Sequence, residues 1–410
     1  MKKILACLLA LPLTLAACGA QTADTGSTPP TEPTQTTETA PEASTPAAAT
    51  AGRLRSTASY YMMYTNTGLY GMNQKYDETT NTDTFYVIKT DCATAAQEKL
   101  AEIELPGGLY YGMAAWDDTV EVYLIEDADT DNPTECRYIV DTSTGNVERV
   151  PIEGLFFPAW YDDAALYEMD YDSGKRINRR DRTTNEVSYI NLPDQTQSIS
   201  GVGDKWLIQR IVSPSPLPSP EDGDMYNAVL QNSEKEFDLV DAATGEMKKV
   251  YSYPAVGEDY YYCGQRSGTL YFARSGEDAL PAGVCKLEEG EMVQVLPRDD
   301  PYISQQLLED EQGELQWIVW YAGETVQIYD LDGGQSYRPA FIKETSQSAS
   351  TGFPKMLLPD GRVIVTHGSM ENTDLENTDL LDEVAYATID RAAYLAGGTD
   401  YTPVAMYTGE

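Results

Sequence analysis

Sixty-six acidic residues and one histidine limit the chemistry open to this 410-residue chain. A Ser-His-Asp or Cys-His nucleophile needs a histidine as base. The single histidine, His367, lies in the strand-like run Ile364-Val-Thr-His-Gly-Ser369 with no partner motif, which fits a structural role. Zinc sites built on several histidines are excluded by count. The chain has neither a P-loop nor a dinucleotide fingerprint. Carboxylates alone can still do two things. A pair at a suitable separation can hydrolyse a glycosidic bond, but 66 acids single out no pair. Alternating acids on one loop can also converge hard oxygen ligands on calcium. Asp127-Ala-Asp129-Thr-Asp131-Asn132 has that alternation, so Asp127, Asp129 and Asp131 are the candidate metal ligands. Asn132 stands where such a loop needs glycine, and Tyr138 where it needs a closing Glu; a solvated acidic hairpin tip accounts for the same residues. No catalytic residue and no organic cofactor are assigned.

Tyrosine is abundant, with 29 residues against 7 Phe. Tyr60-Tyr61, Tyr110-Tyr111 and Tyr260-Tyr261-Tyr262 fall near strand starts. They could stack on sugars, but strand propensity and amphipathic packing explain them without a ligand. Cys92, Cys136, Cys263 and Cys285 show no CxxC and no metal spacing. Disulfides and buried free thiols are both open.

The N-terminus carries a different chemistry. Lys2 and Lys3 precede an apolar run, Ile4 to Leu15, of about a dozen residues, too short to span a bilayer core of ~30 Å. Leu15-Ala16-Ala17-Cys18 follows directly. This combination resembles the lipobox of bacterial lipoproteins, with an ordinary secretory signal as the alternative. The resemblance implies cleavage before Cys18 and a diacylglyceryl group on its thiol. Two acyl chains anchor stably where one does not. Residues 1–17 are thus read as signal peptide and 18–52 as lipidated cysteine plus tether. The tether is Thr, Pro, Ala, Glu, Gln and Ser almost throughout, with no basic residue before Arg53. It cannot bury enough surface to order itself, and fully extended it reaches on the order of 110 Å. The expected location is therefore a lipid-anchored domain outside the cytoplasm.

A net charge of −38 argues against nucleic acid and anionic headgroups as partners. The remaining residues, 53–410, are punctuated as β structure. One turn class, Asp-x-x-Thr-Gly, joins strands at Asp141–Gly145 and Asp241–Gly245, with weaker copies at Asp181–Asn185, Glu288–Gly290 and Asp330–Gly333. Two degenerate copies lie within 85–105 and 385–406. A hairpin tip precedes each member: 65–68, 116–118, 161–163, 203–205, 266–268, 311–313 and 359–361. Seven units of about 51 residues match the ~50-residue spacing of kelch-like repeats. A four-stranded meander buries both faces only when neighbours stack on it, which radial packing achieves. The expected fold is all-β, a seven-bladed β-propeller, with tandem β-sandwiches as the alternative.

The hairpins at Asp141–Gly145 and Asp241–Gly245 resemble those of PQQ-repeat-like propellers. The tryptophan that follows the turn in that family is absent; Val150 and Val250 or Tyr251 lie there, so the resemblance implies the fold and not quinone binding. One short helix is expected within Thr94 to Ile103. Two insertions, a rigid Pro-rich loop at Ser213 to Asp224 and the segment Met370 to Glu383, are candidate contact surfaces. The functional expectation is a non-enzymatic binding or scaffold module with a protein or glycan ligand; a carbohydrate-binding or glycoside-hydrolysing propeller is the alternative.

Overall fold

The computed structural model describes residues 52–57, 63–128, 130, 132–152, 158–170, 175–242, 244–275, 282–298, 305–322, 325–343, 350–369 and 384–405. Seven antiparallel sheets follow one another along the chain, at 63–106, 109–151, 160–191, 196–254, 259–298, 305–337 and 342–403. Strand order within each sheet is chain order, which excludes the interleaved sheets of tandem sandwiches. This is the seven-bladed propeller read from the turns. The third blade gains a strand, Arg55–Ser56, and the seventh has five.

Side chains alternate between the two neighbours of each blade because strand periodicity is two. In blade 6, Trp317 packs into blade 7 beside Phe353 and Tyr394, while Ile318 packs into blade 5 beside Tyr271. In blade 3, Leu166 faces the blade 2 cluster and Tyr167 faces Trp206 of blade 4. Leu69 and Ala95 of blade 1 meet Leu358 and Ile364 of blade 7, which closes the ring.

The Asp-x-x-Thr-Gly turn works through one carboxylate oxygen. Asp141 Oδ1 accepts from the backbone N–H and hydroxyl of Ser143 (2.9 and 2.6 Å) and of Thr144 (2.8 and 3.0 Å). These bonds, the side-chain hydroxyls first, hold the carboxyl pKa down at about 2. Asp241 repeats the arrangement with Thr244. So does Asp91 with Ala93 and Thr94, although Ala95, at φ 60°, stands where glycine is expected. Blade 1 therefore carries a full copy of a turn that its sequence disguises.

The helix expected within Thr94 to Ile103 does not form. Gln97–Pro106 is the outer strand of blade 1, with Ala101, Ile103 and Leu105 buried in alternation. Among the described residues the α-helices are instead α1 (Asp224–Leu230) and α2 (Arg391–Leu395). Cys92, Cys136, Cys263 and Cys285 are free thiols, the last three buried. In a meander, the first-to-second and third-to-fourth connections share one end, here the tip face. Second-to-third and blade-to-blade connections share the other, here the insertion face.

The two glycines of the best turns separate conformation from packing. Gly145 and Gly245 have φ of 72° and 71°. A Cβ on Gly145 would lie 2.3 Å from the Leu100 carbonyl oxygen of blade 1, whereas one on Gly245 meets nothing within 4 Å. Gly245→Ala should cost about 1–2 kcal/mol from the left-handed backbone alone. Gly145→Ala should cost about 3 kcal/mol or more, since the backbone of blade 1 must also move. Urea unfolding of the two variants checks the difference.

Candidate functional site

The tip-face mouth of the central channel is filled by the chain itself. Residues 52–57 touch four blades. Arg55 and Ser56 pair with Tyr161 and Trp160 of the inner strand of blade 3. Leu54 N donates to Gly203 O of blade 4 at 2.7 Å, with its side chain against Gly201. Thr57 N donates to Ala159 O at 3.1 Å, its hydroxyl bonds the Pro158 carbonyl, and its own carbonyl accepts from Met113 N of blade 2 at 3.2 Å. Arg53 reaches the far side, bonding Glu309 of blade 6 at 3.0 Å. Its guanidinium occupies the place of a side chain on Gly313, where a Cβ would sit 1.5 Å from Cζ. A segment that contacts blades 2, 3, 4 and 6 lies across the axis.

This strap determines what the channel carboxylates can do. Asp163 bonds Arg55 at 2.7 Å, and Arg55 also lies over the Tyr161 ring at 4.5 Å. Glu309 bonds Arg53. Desolvation raises the Glu309 pKa, and the Arg53 charge works against it, although 42% of the side chain remains exposed. Asp163 and Glu309 are thus each engaged by an arginine of the strap, a poor arrangement for these two as a hydrolytic pair, which needs room for substrate and water. Sequence reasoning missed Arg53, Arg55, Asp163 and Glu309. Their one signal is that Arg53 and Arg55 end a long stretch without basic residues.

The acidic loop of blade 2 lies on the insertion face. Asp127 opens it at φ 52°, its carbonyl accepting from Thr130 N and Oγ1. Asp129 and Asp131 lie outside the described residues, as does Cys18. Among the described residues no group of three or more His, Cys, Asp and Glu could hold a metal ion. The neighbouring Glu126 is engaged elsewhere. Its carboxylate takes Arg149 Nε and Nη2, each at 2.6 Å, and the Tyr138 hydroxyl. Tyr138, at the twelfth position of the loop pattern, thus serves an ion pair.

Of the other expected residues, Tyr60 and Tyr61 lie outside the described set. Tyr110 and Tyr260 are buried in the core, and Tyr261 is exposed. Tyr260 stands edge-on to Tyr251 and Tyr253, so this run mainly packs blade 4 against blade 5. His367 is half-buried in its strand, its ring 5.6 Å from that of Tyr401. The blade 4 insertion departs from the sequence reading because Ser219 caps a short 3-10 helix with Pro220 at its start, and α1 follows. No residue of α1 is buried, and Met225 is 61% exposed. Val256 and Ile342, also exposed, lie on the same face.

No protein-family model matches the chain, and no curated protein matches it. Solved structures do. The β-propeller domain of the Trilobed protease from Pyrococcus furiosus aligns with 87% of this chain and 99% of its own, at 11% identity and TM-score 0.49. A post-proline cleaving enzyme from Rickettsia typhi covers 85% at 10% identity and TM-score 0.48, and this chain spans 53% of it. TolB from Acinetobacter baumannii covers 70% at 13% identity and TM-score 0.34, with 62% of its own chain matched. What they share with this chain is the propeller fold.

The Glu126 ion pair gives a pH signature. Its bonds, that from Arg149 first, lower its pKa from 4.5 to about 2. A depressed carboxylate stabilises the fold above its unfolded pKa and loses that contribution as pH falls through the folded one. Thermal melts from pH 7 to pH 2 should therefore show a component lost below about 4.5. Glu126→Gln should melt lower at pH 7 and lack that component.

Proposed function

We propose that the chain is a lipid-anchored binding or scaffold module, held outside the cytoplasmic membrane and engaging a partner through its insertion face. One observation carries this reading: Gly52, where the acidic tether joins the domain, lies at the tip face, beside Asp163. The tether and the blade 4 insertion are therefore connected to opposite ends of the propeller. Membrane attachment at one end leaves the other open. The blade 4 insertion joins the second strand to the third, so it belongs to the open end, whereas the other expected contact surface, Met370 to Glu383, lies outside the described residues. Met225, Val256 and Ile342 supply apolar surface there that is exposed among the described residues. The engagement of Asp163 and Glu309 by the strap supports a binding role over hydrolysis.

Cys18→Ala and Met225→Cys test the two halves of the proposal. Cys18→Ala should abolish acyl labelling and release a folded protein from the membrane fraction. Met225→Cys, in intact cells, should react with a membrane-impermeant maleimide well above the background of half-buried Cys92. A Cys18→Ala protein that stays membrane-bound with its acyl label removes the anchor. A Met225→Cys thiol that reacts only after lysis removes the external location.

A further inference from the structure

The helices α2 and α1 are held in different ways. In α2 the Asp390 carboxylate accepts from Ala393 N at 2.8 Å, and Tyr394 is fully buried against Trp317. α1 has seven residues, its N-cap Gly223 offers no side chain, and none of its residues is buried. A helix of that length is marginal in water on its own. What fixes it is its C-terminal end. Ser233, buried just before the third strand of blade 4, donates its N–H to Leu230 O at 3.0 Å and its hydroxyl to Val229 O at 2.8 Å, and its carbonyl accepts from Ala255 N at 2.9 Å. At the other end Pro214, Pro216, Pro218 and Pro220 stiffen the segment that leads in. Met225 and Val229 are four residues apart, as are Tyr226 and Leu230, so the four make one apolar stripe. Met225 is its exposed end, and exposed Val256 follows the residue that bonds Ser233 at the foot of the helix. Between Arg210 and Lys235 the chain has four acidic residues, Glu221, Asp222, Asp224 and Glu234, all exposed, and no basic one. Arg210 and Lys235 themselves are engaged by Glu236 and Asp238 and by Asp259.

We infer that α1 and its acidic lead-in dock a cationic amphipathic segment of another protein, its apolar side chains on Met225, Val229 and Val256 and its Lys and Arg side chains against Glu221, Asp222 and Asp224. The inference rests on the proposed role of the insertion face and names the class of partner. Charge selects the occupant. A second copy would bring the same carboxylates together, and like charges across an interface repel. Anionic lipid and nucleic acid are opposed by the same charge. A cationic partner is drawn by the whole acidic surface, and apolar contact then fixes where it settles. Laying one apolar helix face against another surface is a recurring mode of peptide recognition. The stripe of one short helix makes a small interface, which places binding in the weak, reversible range.

The probe is a fluorophore-labelled Leu/Lys peptide of about five helical turns, amphipathic when helical. It is titrated with the full chain at about 0.15 M salt, where charge is screened beyond ~8 Å. Saturable 1:1 binding with a dissociation constant on the order of 10 μM is expected. Met225→Glu should weaken it at least tenfold. That variant decides the matter because it adds a negative charge, so attraction by net charge alone predicts unchanged or tighter binding. Met225 is exposed, and an unchanged melting temperature checks that the variant folds. Glu221→Gln, Asp222→Asn and Asp224→Asn combined should weaken binding at least threefold, and a Ser/Lys peptide of equal charge should bind at least tenfold more weakly than the Leu/Lys peptide. Equal binding by Met225→Glu and the parent chain, or no saturation by about 0.5 mM, some fifty times the expected constant, overturns the inference. So does dimerisation, or adsorption to phosphatidylcholine vesicles, that Met225→Glu abolishes, since a second copy or lipid is then the occupant. None of these results bears on the anchor and the location, which Cys18→Ala and Met225→Cys test separately.

Discussion

Each blade of this protein has two apolar faces and can satisfy neither alone, so everything else depends on the ring being closed. Many rings of sheets close by sharing a strand between chain ends. Here blade 1 is built wholly from 63–106 and blade 7 wholly from 342–403, so closure falls to side chains and single backbone bonds. Arg362 donates to the carbonyls of Ala93 and Cys92 at 2.5 and 3.2 Å across the seam, and Gln97 N donates to Ala405 O at 2.8 Å. Charged donors on backbone carbonyls contribute more than neutral ones. They also fix register, which the packing of Leu69 and Ala95 on Leu358 and Ile364 would not do alone.

The strap adds a second kind of closure. Loop-closure entropy grows only slowly with length, so a contact 256 residues apart, such as Arg53 with Glu309, is little worse in that respect than a shorter one. By joining blades 2, 3, 4 and 6 along the axis, residues 52–57 tie blade 6 to three blades that are not its neighbours in the ring. Under the proposed anchoring, a pull on residues 52–57 would reach several blades at once and not the edge of one sheet.

The fold was legible because its punctuation is local. A carboxylate that accepts two N–H groups and a glycine or asparagine at positive φ must sit within five residues of each other, so Asp141–Gly145 and Asp181–Asn185 announce a turn in any context. Ala95 hid the blade 1 copy because only the glycine, and not the Asp91–Thr94 bonding, had been replaced. The helix in blade 4 was hidden by prolines read as a rigid loop, although Ser219-Pro220-Glu221-Asp222 is a helix-start pattern. The strap could not be read as such, because Arg53 meets Glu309 only after blades have stacked and no local spacing encodes that meeting. The cluster Arg176, Arg179, Arg180 and Arg182 in so acidic a chain was a signal of a charged seam.

That cluster is also where the fold departs from its own rule. Replacing buried ion pairs by well-packed apolar residues is often neutral or stabilising, and the other seams show that this backbone accepts such residues. Parity sorts the arginines: Arg180 and Arg182 point to blade 2, while Arg179 points to blade 4 and pairs with Asp181 at 3.4 Å. Alternate positions of one strand thus serve an ordinary seam and a charged one. A ring whose other seams carry large apolar clusters can tolerate one that is less than optimal for stability. That loss is local to the two blades that share the seam, and the remaining five hold the ring.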